Sequence, residues 1–417
     1  MGSLRIAYLA YRGNPHSGGQ GVYTRHLTRE LVQLGHHVTV FGGQPYPVLD
    51  EGVEFVPVPS LDLYRQPDPF RIPRPREFKT RYDLLEFALM CTAGFPEPLT
   101  FSLRARKLLQ ARRGDFDVVH DNQALATGML GMIEDGWPLI TTLHHPITVD
   151  RDLHMAEAKG IRQHITLRRW YGFIKMQCKV AAQIPRVLTV SESSRADIVA
   201  QMGGHAERLA IVHVGVDHTR FRPLPHVQPV PGRIVTTASA DVPMKGLVPL
   251  LEAVAKVRTE RHAELVIIGK PRAESRVSHT IRRLGLDDAV TFVNGVTDER
   301  IVELYCEAEV AVVPSLYEGF SLPAVEAMAC GRPLVATTGG ALPEVVGNHD
   351  ETGLLVPPND PGALAAAIGG ALDDPELRAR VGAAGRARVL DRFTWRRTAE
   401  GTVEQYRALL ADHRAAC

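Results

Sequence analysis

The chain is poor in cysteine. Its five thiols, at positions 91, 178, 306, 330 and 417, are odd in number, scattered, and contain no CxxC pair. That excludes a disulfide framework and a zinc knuckle and suits reduced thiols. Aromatic residues are also scarce, at 6%. Long apolar runs are missing: the blandest stretch, "GALAAAIGGAL", stops between Pro361 and Asp373, too short to span a bilayer. Excess charge of either sign is missing as well. Forty-eight Lys and Arg against 47 Asp and Glu leave a formal net charge of +1, so no global field draws the chain to nucleic acid. No internal repeat or extended low-complexity tract is present. Leu4 to Ala10 reads as a first strand and not as a leader. The expectation from these absences is a cytoplasmic globular protein of ordinary composition, 45% apolar.

What the chain does have is alternation. Its 417 residues suit two domains of about 200 each. In the first half, "LRIAYLA", "HVTVFG", "DVVH", "PLITTLH" and "RVLTVS" read as strands. In the second half, "GRIVTTAS", "ELVIIG", "AVTFVN", "AEVAVVPS", "RPLVAT" and "GLLVP" do. Many are continuous apolar runs, the mark of parallel strands buried on both faces, and helical stretches separate them. The expected class is therefore α/β, two doubly wound Rossmann-like domains. The proline-rich "RPLPHVQPVPGR", Arg222 to Arg233, reads as a linker. It divides the chain into 1–221, 222–394 and a closing helical segment, 395–417, that either caps the second domain or returns to the first. From Gln44 to Phe101 the rhythm breaks. The segment is rich in proline and carries Arg65, Arg71, Arg74, Arg76, Lys79 and Arg81. It reads as an irregular insertion, with an acceptor-contacting loop favoured over a bland surface excursion.

Chemistry concentrates in "SLYEGFSLPAVEAMACGRPLVAT", Ser315 to Thr337. A buried strand leads through Glu318, Gly319 and Phe320 to Ser321, expected as the N-cap of a helix with Pro323 in its first turn and Gly331 as its stop. The amides around Phe320, Ser321 and Leu322 then stand at a helix N-terminus, where unpaired N–H groups and the positive dipole end attract an anion. Glu326 lies one turn inside, where a carboxylate can accept two hydrogen bonds from a ribose diol. Glu318 lies before the helix, near a sugar attached to the phosphate. Either glutamate alone reads as an ordinary solvated carboxylate; the whole string does not.

That string resembles the signature of the family 4 retaining glycosyltransferases, which have the GT-B fold of two Rossmann-like domains facing a central cleft. "SGGQGVYTRHLTRELVQLGHHVTVF", "PLITTLHH", "VLTVSESSRADI", "VGVDHTRF" and "DRFTW" extend the resemblance along nearly the whole chain. It implies that Glu318 contacts the donor sugar, that the amides after it hold sugar or phosphate, and that Glu326 binds the nucleotide ribose. It implies that His144, after a buried strand, contacts the donor sugar's hydroxyls; a lone strand-end histidine is otherwise a structural hydrogen-bonder. It sets Lys245, in "MKGL", on the donor diphosphate. The chain departs from the pattern six residues earlier, where the family usually has Arg and this chain has Ser239; Lys270 and Arg272, in "IIGKPR", are inferred to supply the missing charge.

Gly18, Gly19 and Gly21 could let backbone approach a ligand, or simply make a tight turn. Thr24 occupies the third-glycine position and the second strand ends without an acid, which argues against a nicotinamide cofactor. Asp115-Phe-Asp117 fits a metal pattern only by chance spacing, and no cofactor or essential metal is expected. The stretch 162–179 interleaves Arg162, Arg168, Arg169, Lys175 and Lys179 with Trp170, Tyr171 and Phe173. It reads as a solvated helix with a packed aromatic side, or as a peripheral contact with the inner face of a membrane. The expected function is transfer of a hexose-type sugar from a nucleotide-diphosphate sugar to a hydroxyl acceptor, with retention, by front-face displacement. A sugar-nucleotide epimerase or hydrolase, or a catalytically weak nucleotide-sugar-binding protein, are the alternatives. Nucleic acid is not an expected partner.

Overall fold

The computed structural model describes residues 2–13, 19–65, 67–158, 160–238, 242–270, 272 and 274–416. They group into two compact units. One contains the chain up to Val190, Ser194–Val212 and the chain from Thr398 on; the other contains Ser191–Ser193 and His213–Arg397.

The first unit is a seven-stranded parallel sheet: β1 Arg5–Ala10, β2 His37–Gly42, β3 Glu54–Pro57, β4 Val118–Asn122, β5 Leu139–Thr142, β6 Arg186–Thr189 and β7 Leu209–Ile211. The order is β3-β2-β1-β4-β5-β6-β7. Apolar runs such as Ile6–Leu9 and Val118–Val119 are fully buried, as strands covered on both faces require. From Thr398 on, the closing helix Trp395–Ala416 groups with this unit. It is fastened there by Tyr406, whose hydroxyl lies 2.6 Å from His120 Nδ1, and by Arg186, which donates to Gln405 and Asp412.

Two strands were not read from the sequence, β3 and β7. Both lie at the edges of this sheet, four and three residues long, and neither is fully buried. The segment 44–101 is also not the irregular insertion expected. It contains β3, the helix Arg81–Cys91 and the start of the helix Glu97–Gln110. Two arginines organise it, Arg71 within the segment and Arg104 beyond its end. Buried Arg71 donates to Leu61 O and Glu77 Oε1, and Arg104 bridges the two helices through Asp83 and Glu86, each at 2.6 Å. A charge buried that deeply persists only when paired and hydrogen-bonded.

The second unit is a six-stranded parallel sheet: β8 Arg233–Thr237, β9 Glu264–Ile268, β10 Val290–Val293, β11 Val310–Val313, β12 Leu334–Thr337 and β13 Leu354–Val356, in the order β10-β9-β8-β11-β12-β13. Chain progression reverses between β8 and β11, which pair through Ile234↔Val310 and Val235↔Ala311. In an open parallel sheet, a crevice forms outside the carboxyl ends of the strands at such a reversal. The proline-rich 222–233 falls inside this unit, whose limit lies at His213. The chain after it is tied in by the Val216–Thr394 bridge and by Gly215, which packs on Trp395.

Candidate active site

The loops that leave β8, β11 and β12 are locked to one another by backbone. Between β8 and the helix Leu247–Arg258, residues Pro243–Lys245 form a turn, and Met244 O accepts from Leu316 N at 2.7 Å. The next residue, Gly246, has φ +66, and a Cβ there would meet Pro314 O at 1.9 Å, so only glycine lets the two loops approach this closely. Beyond β12, Gly340 (φ +62) does the same on the other side, where a Cβ would meet Glu318 O at 2.3 Å; that carbonyl accepts from Ala341 N at 2.8 Å. Lys245 and Glu318, 73 positions apart, are thereby brought together. Lys245 Nζ lies 2.7 Å from Glu318 Oε1, and Ser315 Oγ donates to the same oxygen at 2.6 Å. Both side-chain partners use Oε1, which leaves Oε2 as an acceptor. Glu318 is 9% exposed.

Glu326 occupies the helix Leu322–Ala329, as read from the sequence. Tyr305 OH stands 3.4 Å from its Oε2 and 2.8 Å from Thr237 Oγ1, which links the end of β8 to the carboxylate. Burial pushes the Glu326 carboxyl up to about 7, against the smaller opposing pull of the Tyr305 hydroxyl. A half-buried carboxylate with one long hydrogen bond retains unused acceptor capacity, as a diol-binding group must.

Ser321 departs from the expectation. It precedes the helix but does not cap it: its backbone is at φ +89, ψ 85, and its side chain accepts no cap bond. A capping serine needs extended backbone, which the turn after Phe320 denies it. The residue is 4% exposed, and its Oγ has no hydrogen-bond partner. A non-glycine residue held in such a region costs about 1–3 kcal/mol. Phe320 before it is buried, edge-on to Phe393 at 5.6 Å and stacked over His213 at 6.2 Å. Gly319 O accepts from Ser191 Oγ at 2.6 Å. The turn is therefore held from both ends.

Lys270 and Arg272 follow β9, the strand beside β8, and are exposed on that same carboxyl edge. Ser239 lies outside the described residues.

In the first unit, Gly18 likewise lies outside the described residues. Gly19 opens the helix Gly19–Gln33, and a Cβ there would meet nothing within 4 Å; Gly21 is buried in the same helix. His144 follows β5. Its Nε2 is 2.9 Å from Asn122 Oδ1, its amide donates to Gln123 Oε1 at 2.9 Å, and its ring packs edge-on against Tyr23. Asn122 Nδ2 is committed as a donor to Thr24 Oγ1, so its oxygen faces His144 and the imidazole proton is assigned to Nε2. Burial, then His145, pushes the imidazole down to about 3, so at neutral pH it is uncharged. Neighbouring Asp121 accepts from Ala124 N, Leu125 N and Thr141 Oγ1, and burial raises its carboxyl to about 6.

Sequence reasoning missed Asn122, Gln123, Ser315 and Tyr305. The available signal was a polar run, "HDNQ", closing a buried strand. Asp115 and Asp117 are taken up by Arg112 and Arg5. In 162–179 the helices Ile161–Trp170 and Phe173–Ala181 turn Trp170 and Phe173 onto Phe95, at 5.1 and 5.3 Å, while the five basic residues stay exposed. Among the described residues no helix is long and apolar enough to cross a membrane.

Residues 17–220 match the model of "Glycosyltransferase Family 4", and residues 225–388 that of "Glycosyl transferases group 1". The chain is 52% identical to an MMP α-(1→4)-mannosyltransferase of Mycolicibacterium hassiacum, over 98% of this chain and 99% of the relative. It is 32% identical to a D-inositol 3-phosphate glycosyltransferase of Acidothermus cellulolyticus, over 99% and 92%. Among solved structures, the sucrose-phosphate synthase of Thermosynechococcus elongatus superposes with a TM-score of 0.73 at 26% identity, over 98% and 100% of the two chains.

Proposed function

The chain belongs to the family 4 glycosyltransferases, and from that premise we propose that it transfers mannose from a nucleotide-diphosphate mannose to a saccharide hydroxyl, with retention at the anomeric carbon. The choice of sugar rests on the 52% identity to an α-(1→4)-mannosyltransferase along essentially the full length of both chains. The observation that carries the chemistry is the Lys245–Glu318 pair at the β8/β11 reversal, beside a helix N-terminus and with Glu326 one turn further on.

In this reading Glu326 accepts the ribose hydroxyls and Glu318 accepts from the hexose. Lys245, held in place by Glu318, stabilises the charge that grows on the leaving diphosphate. Lys270 and Arg272 are the cations that join it there, since a single lysine and helix amides make a weak clamp for a leaving group. His144, a neutral imidazole fixed by Asn122, is assigned to a hydroxyl of the transferred sugar. Neither glutamate is placed as a covalent nucleophile, so the departing phosphate oxygen takes the acceptor's proton on the face it leaves. No metal is required in this scheme.

The test is incubation with GDP-mannose and a short α-mannoside acceptor, with and without EDTA, and proton NMR of the product. An α-linked mannoside formed at equal rate in both is expected. A β-linked product, nucleotide released without acceptor, or activity abolished by EDTA and restored by Mg²⁺ would each refute a specific part.

A further inference from the structure

Aromatic residues make up only 6% of the chain, yet four of them, from three separate stretches, meet in the first unit. Tyr64 and Phe70 come from the proline-rich segment, Phe95 precedes the helix Glu97–Gln110, and Trp170 ends the helix Ile161–Trp170. Between ring centres, Trp170 stands 5.7 Å from Tyr64, 6.2 Å from Phe70 and 5.1 Å from Phe95, and Phe70 meets Tyr64 edge-on at 5.3 Å. Such geometries are attractive, but the cluster is not a closed core. Phe70 is 58% exposed, and the other three residues are partly exposed. Phe70 also holds φ +65, a conformation that a bulky residue adopts only at a cost. Its amide donates to Leu63 O at 2.7 Å, which closes the loop that carries the ring. Polar groups sit among the rings. Arg12, two residues past the carboxyl end of β1, lies 5.8 Å from the ring centre of Tyr64 and 5.5 Å from that of Phe95. Its guanidinium forks onto Glu97, with Nε 2.6 Å from Oε2 and Nη2 3.1 Å from Oε1. The order of this sheet reverses between β1 and β4, where an open parallel sheet forms a ligand crevice. The Tyr64 hydroxyl is buried and has no hydrogen-bond partner among the described residues. Buried polar atoms almost always find a partner, so a hydroxyl that the fold leaves unpaired keeps its donor and acceptor capacity for a ligand.

We propose that this aromatic face, with Arg12 and the Tyr64 hydroxyl, holds the sugar units of a saccharide acceptor that lie beyond the unit being glycosylated. The proposal rests on the reading of the chain as a transferase to a saccharide hydroxyl. A pyranose ring has a face of C–H bonds and a rim of hydroxyls. The C–H bonds carry slight positive charge and suit the negative face of an aromatic ring. The rim hydroxyls donate and accept, and so match both the Tyr64 hydroxyl and the guanidinium. An apolar lining with a few convergent polar groups is the ordinary build of a small-molecule site. The exposed arginines of Ile161–Trp170 would suit an anionic membrane, but the interior of the cluster would not. An acyl chain would cover the rings and leave the Tyr64 hydroxyl unpaired, at a cost in free energy. The consequence is a transferase that favours longer acceptors.

The test compares methyl α-mannoside with an α-linked mannotetraose as acceptors, using the full chain and GDP-mannose. In the parent, kcat/KM is expected to be about tenfold higher for the tetraose. Phe70→Ala should lower kcat/KM about tenfold for the tetraose and about twofold at most for the monosaccharide. Tyr64→Phe removes only the unpaired hydroxyl and should lower kcat/KM for the tetraose about fivefold. Its urea midpoint should equal or exceed the parent's, which shows that the loss is not a folding defect. Without donor, the tetraose should change the tryptophan fluorescence of the parent but not that of Trp170→Phe, because Trp137 and Trp395 are buried. Transfer at equal kcat/KM to both acceptors overturns the proposal and leaves the proposed function standing. A loss in Phe70→Ala that is the same for both acceptors also overturns it. A fluorescence response to the tetraose without any transfer refutes the proposed function and supports the saccharide site; neither response nor transfer refutes both. If Phe70→Ala loses binding to vesicles containing anionic lipid yet keeps parent-like kcat/KM for the tetraose, the face is a membrane contact and the proposal is overturned.

Discussion

Glu326 should be a stability liability that function retains. Its carboxyl titrates at about 7 in the folded chain against an ordinary 4.5. The native state therefore holds a proton more tightly than the unfolded state between those values. Stability is present at low pH and lost as pH rises through that window. A shift of that size corresponds to at most about 3 kcal/mol at pH 8, falling to about 1.5 kcal/mol at pH 5.5. Part of the side chain reaches solvent, so these are ceilings. Glu326→Gln keeps the shape and the contact to Tyr305 but cannot ionise. It should be more stable than the parent at pH 8, with an advantage that shrinks by up to about 2 kcal/mol on going to pH 5.5. Urea unfolding of both proteins at the two pH values reads this. The same variant should bind nucleotide roughly tenfold or more weakly, because a charge-assisted acceptor of two hydroxyls is gone. In the parent, nucleotide affinity should fall as pH drops through about 7; in Glu326→Gln that dependence should flatten. A variant no more stable than the parent at pH 8 would refute the burial argument. Parent-like nucleotide affinity would refute the ribose assignment.

Three further outcomes are expected. Glu318→Gln and Lys245→Ala should each cut the rate of transfer strongly, and the double variant should lose far less than the product of the two, since they share one contact; independent losses in a kinetic double-mutant cycle would separate their roles. Gly246→Ala forces a Cβ into Pro314 O and should destabilise the second unit by several kcal/mol; a parent-like urea midpoint would show that the loops can part at little cost. Single substitution of Lys270 or Arg272 by Ala should weaken donor binding, and parent-like donor Kd in both would leave Lys245 and the helix amides as the whole diphosphate clamp.

The sequence by itself determined the strand–helix rhythm. Eleven strands were readable, from Ile6–Leu9 to Leu354–Val356, and most are buried on both faces, where a strand writes itself as an unbroken apolar run. It also determined that Glu318 and Glu326 flank a helix start, since Pro323 and Gly331 bound that helix locally. Edge strands β3 and β7 are short and incompletely buried, so neither stood out as a doubly covered run. The charged stretch 65–81 looked irregular because a paired buried arginine and a solvated one are the same letter; only the placement of Leu61 O and Glu77 sets buried Arg71 apart from its exposed neighbours.

Tertiary structure alone decided the site. Lys245 meets Glu318 across 73 positions because β8 and β11 are neighbours in the sheet, and because Gly246 has no Cβ to hold their loops apart. Asn122 reaches His144 by the same means, since parallel strands put the ends of distant segments on one edge, and Tyr305 reaches Glu326 from one helix to another. Ser321 shows the limit most sharply. Its letter and position spell a helix cap, but its backbone is held in the left-handed region and its hydroxyl makes no cap bond. Local preference is worth about 1 kcal/mol at a cap, and several tertiary contacts on one turn outweigh it.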